Sequence, residues 1–304
     1  MPVPHSAGNF GDLLDKRVTK VFSDELKQLP DRVGDFYSMQ TSNDSFERWS
    51  QVGALPDFSQ FSGTVNYTSQ AQGYDVTATH LEWANGFQIT RDLYDDDRHG
   101  IWESRPRELA NSYQRTRQAH AARIFNNAFS VDTLFYNNSE AVSLCSNSHT
   151  TTSGASTASG FDNLVTTALS ATACSAARTQ MRGYRGDQAQ RISVMPSMLV
   201  VPIDLQDRAL EIVNSSGKPD VATNEVNTQN GRYKLVDWEY LTDTNNWFMI
   251  DERYMKMYLI WFDRVSLEFG QAEELDTLIA KWRAYCRYSY MWRDWRWLLG
   301  ASVS

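Results

Sequence analysis

Apolar residues first recur at helical spacing near the start of the chain. In GNFGDLLDKRVTKVFSDELKQ (8–28), Leu14, Val18, Val21, Phe22 and Leu26 fall on one face, and Pro30 ends the run. The spacing predicts an amphipathic helix. Residues 31–57 carry isolated aromatics in a polar background, which predicts an extended arm without a core of its own. From 61 to 91 the texture changes: Val65, Tyr67, Val76, Leu81, Phe87 and Ile89 sit among Thr, Ser and Gln, with Gly73 near the middle. Such residues favour strands and a glycine-containing centre suits a turn, so the stretch predicts a long polar hairpin. It has too few apolar residues to bury itself, so its cover is expected to be a neighbour.

The longest periodic run, RPRELANSYQRTRQAHAARIFNNAF (105–129), puts Leu109, Tyr113, Thr116, His120, Ile124 and Ala128 on one face and Pro106 in its first turn. One narrow stripe on a long helix predicts a helix lying across a sheet or between subunits. A Ser/Thr-rich surface excursion follows (130–160). Next come a helix over about 170–181, strand pieces at Ile192–Val194 and Met198–Val201, a helix opened by Pro202, and strands in YKLVDWEYL and WFMID. From Tyr254 strand formers dominate. The last long run alternates: Trp282, Ala284, Cys286, Tyr288, Tyr290 and Trp292 share one face, and Arg283, Tyr285, Arg287, Ser289, Met291 and Arg293 the other. That is the pattern of a half-buried strand, and Asp294 breaks it. The order arm, hairpin, long helix, mixed insert, strands gives an α+β fold rather than a doubly wound one.

Charge changes the reading of one stretch. RYSYMWRDWRW (287–297) interleaves arginines with aromatics, as a groove for single-stranded nucleic acid does. Across 304 residues, however, Lys+Arg 29 against Asp+Glu 37 leaves −8, a poor balance for phosphate-driven binding. The alternation assigns the stretch up to Trp292 to a strand. Cys145, Cys174 and Cys286 are far apart with no C-x-x-C, which argues against a disulfide framework or a zinc site and for a reducing compartment. The N-terminal stretch lacks a basic-then-apolar signal pattern, and no apolar run is long enough to span a membrane.

Candidate chemistry is thin. None of His5, His80, His99, His120 and His149 stands in a metal-binding spacing, and His120 falls on the stripe of the long helix, where packing is its expected role. Cys145 and His149 are four apart in a polar loop, where chance proximity outweighs a nucleophile–base pair. Asp95, Asp96 and Asp97 read as a solvated turn before they read as a cation site. The R-G-D at 185–187 is one tripeptide and carries little. No enzyme, metal or cofactor is expected.

In their order, ARIFNNAF, LCSNSHTTTSG, MPSMLVVPIDLQDRALEIVNSS and YLTDTNNWFMID, followed by the aromatic final strand, resemble the major capsid proteins of tailed bacteriophages, of the Mu-like major head subunit type with the HK97-like fold. The resemblance covers nearly the whole chain. It implies an N-terminal arm (1–60), an extended hairpin loop reaching over an adjacent subunit (61–91), and a peripheral domain with a long spine helix (92–161). It further implies an axial domain meeting its copies around five-fold and six-fold axes (162–250) and a return to the peripheral domain that finishes its sheet (251–304).

On this resemblance, Phe61, Tyr67, Tyr74, Leu81, Trp83, Phe87, Arg293, Trp295, Arg296 and Trp297 are candidates for subunit interfaces, and Leu109, Tyr113, His120 and Ile124 for packing of the spine helix. The implied function is an icosahedral head, built of hexamers and pentamers and enclosing double-stranded DNA without sequence-specific binding. It would assemble in the host cytoplasm with a portal and, if Met1 is the native start, a separate scaffolding protein. The hairpin holds no Lys, so no covalent cross-link is assigned. Deleting residues 63–87 is expected to leave a foldable subunit that fails to assemble. Two alternatives stand beside this: an encapsulin-like cargo shell, and a nucleic-acid-binding module using Arg287, Arg293 and Arg296.

Overall fold

The computed structural model describes residues 16–65, 67, 70, 72–90, 92–93, 96, 101–219, 225–274 and 279–303. The first helix, α1 (Lys16–Gln28), forms as its spacing predicts; residues 8–15 lie outside the described residues. Val18 packs against Ile89, Ala280 and Trp282, and Phe22 stacks on Phe269 at 4.7 Å. The arm after Pro30 departs from expectation. It forms α2 (Val33–Phe36) and β1 (Ser38–Thr41) and enters the main core. Phe36 stacks on Trp238 at 4.6 Å, and the Tyr37 hydroxyl donates to the Ala121 carbonyl at 2.8 Å. Val33, Phe36 and Tyr37 are too few and too close together to show a period, although all three are buried.

Strands β2 (Phe46–Val52), β3 (Gln72–Thr79) and β4 (Leu81–Thr90) revise the hairpin. β3 and β4 are consecutive but do not pair. β3 runs antiparallel to β2, and β4 belongs to another sheet. The hairpin is therefore β2–β3 with residues 53–71 as its link, and His80 alone separates β3 from β4. Deleting 63–87 would remove β3 and most of β4, so the expectation of a foldable product is withdrawn.

Helix α3 (Ile101–Asn126) begins earlier than the sequence suggests, which places Pro106 in the second turn instead of the first. Leu109 and Ile124 are buried and Tyr113 and His120 half-buried, as the stripe requires. Ala110, Gln114, Gln118, Ala121, Ala122 and Phe125 are buried too, so the helix is enclosed on more than one side. After β5 (Tyr136–Asn138) and β6 (Leu164–Val165) comes α4 (Ala171–Met181), capped by the Ser170 hydroxyl, which accepts from the Ala173 N–H at 3.0 Å. Ile192–Val194 forms no strand. β7 (Met198–Val201), α5 (Gln206–Asn214), β8 (Lys234–Asp237) and β9 (Trp247–Ile250) follow. Residues 254–258, read as strand formers, belong instead to helix α6 (Glu252–Tyr258), because the Asp251 carboxylate accepts from the N–H groups of Arg253 and Tyr254.

The chain closes with β10 (Leu259–Glu274), β11 (Ile279–Trp292) and β12 (Leu298–Ala301). A four-stranded sheet has the order β1-β10-β11-β4, a five-stranded sheet β6-β12-β9-β7-β8, and a third β2-β3-β5. Burial along β11 alternates from Ala280 to Tyr288 as expected; beyond that Ser289 and Met291 are buried as well, so this end is enclosed on both faces. The final segment does not stay with the first sheet. β12 crosses into the second, where Asn163 binds it by donating to the carbonyls of Leu298 (3.2 Å) and Leu144 (2.9 Å). Among the described residues no helix is long and apolar enough to cross a membrane.

Candidate assembly interface

Exposed apolar side chains recur along the link of the β2–β3 hairpin. Leu55, Phe58, Phe61, Val65 and Tyr67 are all exposed, Phe58 completely and Tyr67 at 90%. A folded chain seldom leaves such residues grouped in water unless something covers them. Each aromatic buried by a partner would contribute roughly 1.5–3 kcal/mol.

The root of the hairpin is fixed by polar contacts to its own chain. The Arg293 guanidinium lies over the Trp49 ring at 3.9 Å, and the Gln51 amide donates to the Arg293 carbonyl at 3.1 Å. Tyr74 and Thr150 share a hydrogen bond of 2.6 Å, and the Thr152 hydroxyl donates to the Gln72 carbonyl at 2.9 Å. Asp75 pairs with Arg48 at 2.6 Å; hydrogen bonds from Ser50, Arg48 and Gln72 hold its carboxyl down at about 2. These contacts hold the base of the hairpin to its own chain.

The structure sorts the sequence candidates. Phe61 and Tyr67 stand on the exposed link, and Tyr74 is half-buried at the root. Leu81, Trp83 and Phe87 lie on β4, in the sheet and not on the hairpin; Trp83 packs on His120 at 4.3 Å and Phe87 stacks on Trp282 at 5.0 Å. Trp295, Arg296 and Trp297 overturn their assignment to a neighbour contact, because all three are buried in their own subunit. Trp295 stacks on His149 at 4.3 Å, and Trp297 meets Phe125 edge-on. Arg296 binds both carboxylate oxygens of Asp294 at 2.8 and 3.1 Å, approaches Asp187 at 3.5 Å, and donates to the Arg185 carbonyl. Burial also removes these residues as a platform for bases, and the carboxylate of the R-G-D tripeptide is engaged with Arg296.

The remaining candidate chemistry resolves into packing. His149 faces Glu140 at 3.1 Å and the Leu144 carbonyl at 3.3 Å, not the Cys145 thiol. Burial pushes the Cys145 thiol well up and that of Cys286 to about 11, which leaves neither as a nucleophile. His120 accepts or donates one hydrogen bond with the Tyr288 hydroxyl at 2.8 Å; burial, then Arg123, lowers its pKa to about 4. Asp96 is exposed, while His5, Asp95, Asp97 and His99 lie outside the described residues. Among the described residues no group of three His, Cys, Asp or Glu could hold a metal ion. Sequence reasoning missed Trp49, whose only signal is a large aromatic within a polar strand, FERWSQV.

A sequence model of the phage capsid protein family matches residues 73–300. The chain belongs to the phage capsid protein family. Solved capsid structures share the fold of this capsid protein. The mature capsid of bacteriophage PhiM1 aligns with a TM-score of 0.58 at 10% identity, covering 91% of this chain and 88% of that one. The capsid of an empty GTA particle aligns at 0.55 and 12% identity, over 90% and 89% of the two chains. A virus-like particle from Pyrococcus furiosus aligns at 0.52 and 7% identity, over 95% and 99%. No curated protein matches the sequence. The capsid protein is a mixed α+β chain whose fold these capsid structures share.

Proposed function

We propose that copies of this capsid protein join through the β2–β3 hairpin, whose link 53–71 lays Phe58, Phe61 and Tyr67 on an adjacent subunit. The observation that carries this is the exposure of those side chains at the end of a root that its own chain holds firmly. Body contacts would be spread over hexamers and pentamers, each weak and repeated many times, and would sum through effective concentration. The shell would enclose double-stranded DNA without reading its sequence. The charge of −8 supports this, since a strongly basic wall would grip the genome during packaging. Assembly in the host cytoplasm would be completed by a portal, and the chain itself would carry out no catalysis. The Mu-like major head subunit type fits the order of its motifs.

Negative-stain imaging of the purified protein tests the proposal. Uniform closed shells are expected from the intact chain and none after residues 54–70 are replaced by a short turn. Normal shells from the shortened chain would overturn the role of the hairpin. A second reading, a compartment for protein cargo, would be favoured by shells that contain protein and no nucleic acid.

A further inference from the structure

Three buried residues from separate parts of the chain converge where the hairpin joins the four-stranded sheet. His80 is the turn between β3 and β4, so one hairpin strand enters the sheet there. Ser42 follows β1 and opens the turn into β2, so the other strand leaves the sheet there. Ser289 lies on β11 within the sheet. His80 Nδ1 is 2.8 Å from Ser289 Oγ and His80 Nε2 is 3.0 Å from Ser42 Oγ, while the Ser42 hydroxyl donates to Glu47 Oε1 at 2.6 Å.

The protons around a neutral ring follow from this geometry. A carboxylate only accepts, so Ser42 gives its proton to Glu47 and accepts from Nε2–H. Nδ1 is then the bare nitrogen, and the Ser289 hydroxyl donates to it. A second proton on the ring reverses the last bond and places a cation in a buried, crowded site. Arg287 of β11 faces it, its Nε donating to the His80 carbonyl at 3.3 Å, and Arg264 of β10 adds a further positive charge. Glu47 of β2 and Asp44 of the turn act in the opposite sense, and the Phe262 ring of β10, 6.2 Å away, brings no charge. Burial first, and Arg287 second, hold the ring below its ordinary pKa.

We propose that Ser42, His80 and Ser289 form a clasp that sets the angle of the hairpin against the sheet and opens when His80 is protonated. With the clasp closed, both strands of the hairpin are pinned at their exits to one strand of the body. With it open, the hairpin keeps its β2–β3 pairing, the β3–β5 pairing and the root contacts to Arg293, Thr150 and Thr152, and β2 and the link shift about these remaining ties. The clasp belongs to a single subunit, so its test does not depend on how subunits join.

The experiment uses the unassembled full-length chain, spin-labelled through Ser59→Cys on the link and Arg283→Cys on β11, with the native thiols left in place because all three are buried. Between about pH 7.5 and about pH 5, the distance distribution of the otherwise unaltered chain is expected to shift and broaden. Its midpoint should lie below the ordinary histidine value of ~6.5, and the circular dichroism should remain native. His80→Gln keeps one donor and one acceptor but cannot titrate, so its distribution should not move with pH. Ser289→Ala removes the Nδ1 partner and should broaden the distribution already at about pH 7.5. The clasp is refuted by the same pH shift in His80→Gln, by no shift in the parent chain, or by a parental distribution in Ser289→Ala. Loss of circular dichroism before any shift in distance also refutes it, since the acid response would then be global unfolding.

Discussion

The guanidinium of Arg293, one residue beyond β11, lies 3.9 Å from the centre of the Trp49 ring on β2. A strand of the body and a strand of the projecting hairpin are thereby joined at one contact, reinforced by the Gln51 amide on the Arg293 carbonyl. Trp49→Ala is expected to lower subunit stability by about 1 kcal/mol, within the range of partly exposed cation–π contacts. Assembly, followed by light scattering, should fall by more than that loss accounts for, because the hairpin is no longer aimed. Denaturant unfolding with an unchanged midpoint would show that the contact contributes nothing.

The length of the hairpin can be cut without cutting the fold. Replacing residues 54–70 with a short turn leaves β2, β3 and β4 in place, so the thermal transition should move by no more than a few degrees. Removing 63–87 deletes β3 and most of β4 and should give an aggregated product. Thermal melts of the two variants compare them directly, and a cooperative transition from the second would contradict the strand assignments.

Acid should destabilise the subunit in a defined window. His120 is held at about 4 by burial and then Arg123, and His80 is lowered by burial and then Arg287. Both rings are neutral in the fold, yet in the unfolded chain they take up protons near ~6.5. The unfolded state therefore binds more protons below that value, so stability is whole above about 6.5 and is lost as the pH falls toward about 4. For His120 the shift of 6.5 − 4 = 2.5 corresponds to about 3 kcal/mol at most, and its partial exposure reduces this to ~2 kcal/mol. Urea unfolding at a series of pH values should show the slope, and His120→Gln should flatten it. A stability that does not change across this window would rule the account out.

Arg296 tests the reassignment of the C-terminal aromatic stretch. Arg296→Ala leaves Asp294 without its ion partner in a buried setting and should cost on the order of 3–5 kcal/mol. Adding Asp294→Leu should recover part of that loss, since the stranded charge is then gone. A neutral Arg296→Ala, read by thermal melting, would return the side chain to the surface.

Periodicity made α1, α3 and β11 legible, because each repeats its pattern over many residues. It failed at β3 and β4, where alternation runs on through His80 and nothing local marks that the two strands belong to different sheets. Strand partners are chosen by residues far away in sequence, so the pairing of β3 with β2 was invisible. The break at Asp294 suggests an exit from the core, yet Trp295 and Trp297 are buried because the charges of Arg296 and Asp294 cancel beneath the surface. In the candidate interface, the exposed Phe61 and Tyr67 could be read from the sequence, while Trp49 and the serines around His80 could not. Their meaning comes only from what the fold sets beside them.

The place of β12 bears on how the subunit comes into being. β12 is synthesised after the other four strands of its sheet, yet it sits between β6 and β9, and β6 has hydrogen bonds to no other strand of that sheet. The pairing of β6 with β12 therefore needs residues as late as 301, so this sheet is expected to close late in synthesis. Nascent chains stalled before residue 298 should be cut readily by protease, whereas those stalled well beyond residue 301 should resist. β12 thus joins two strands that were both made before it, and the sheet is continuous only once it is in place.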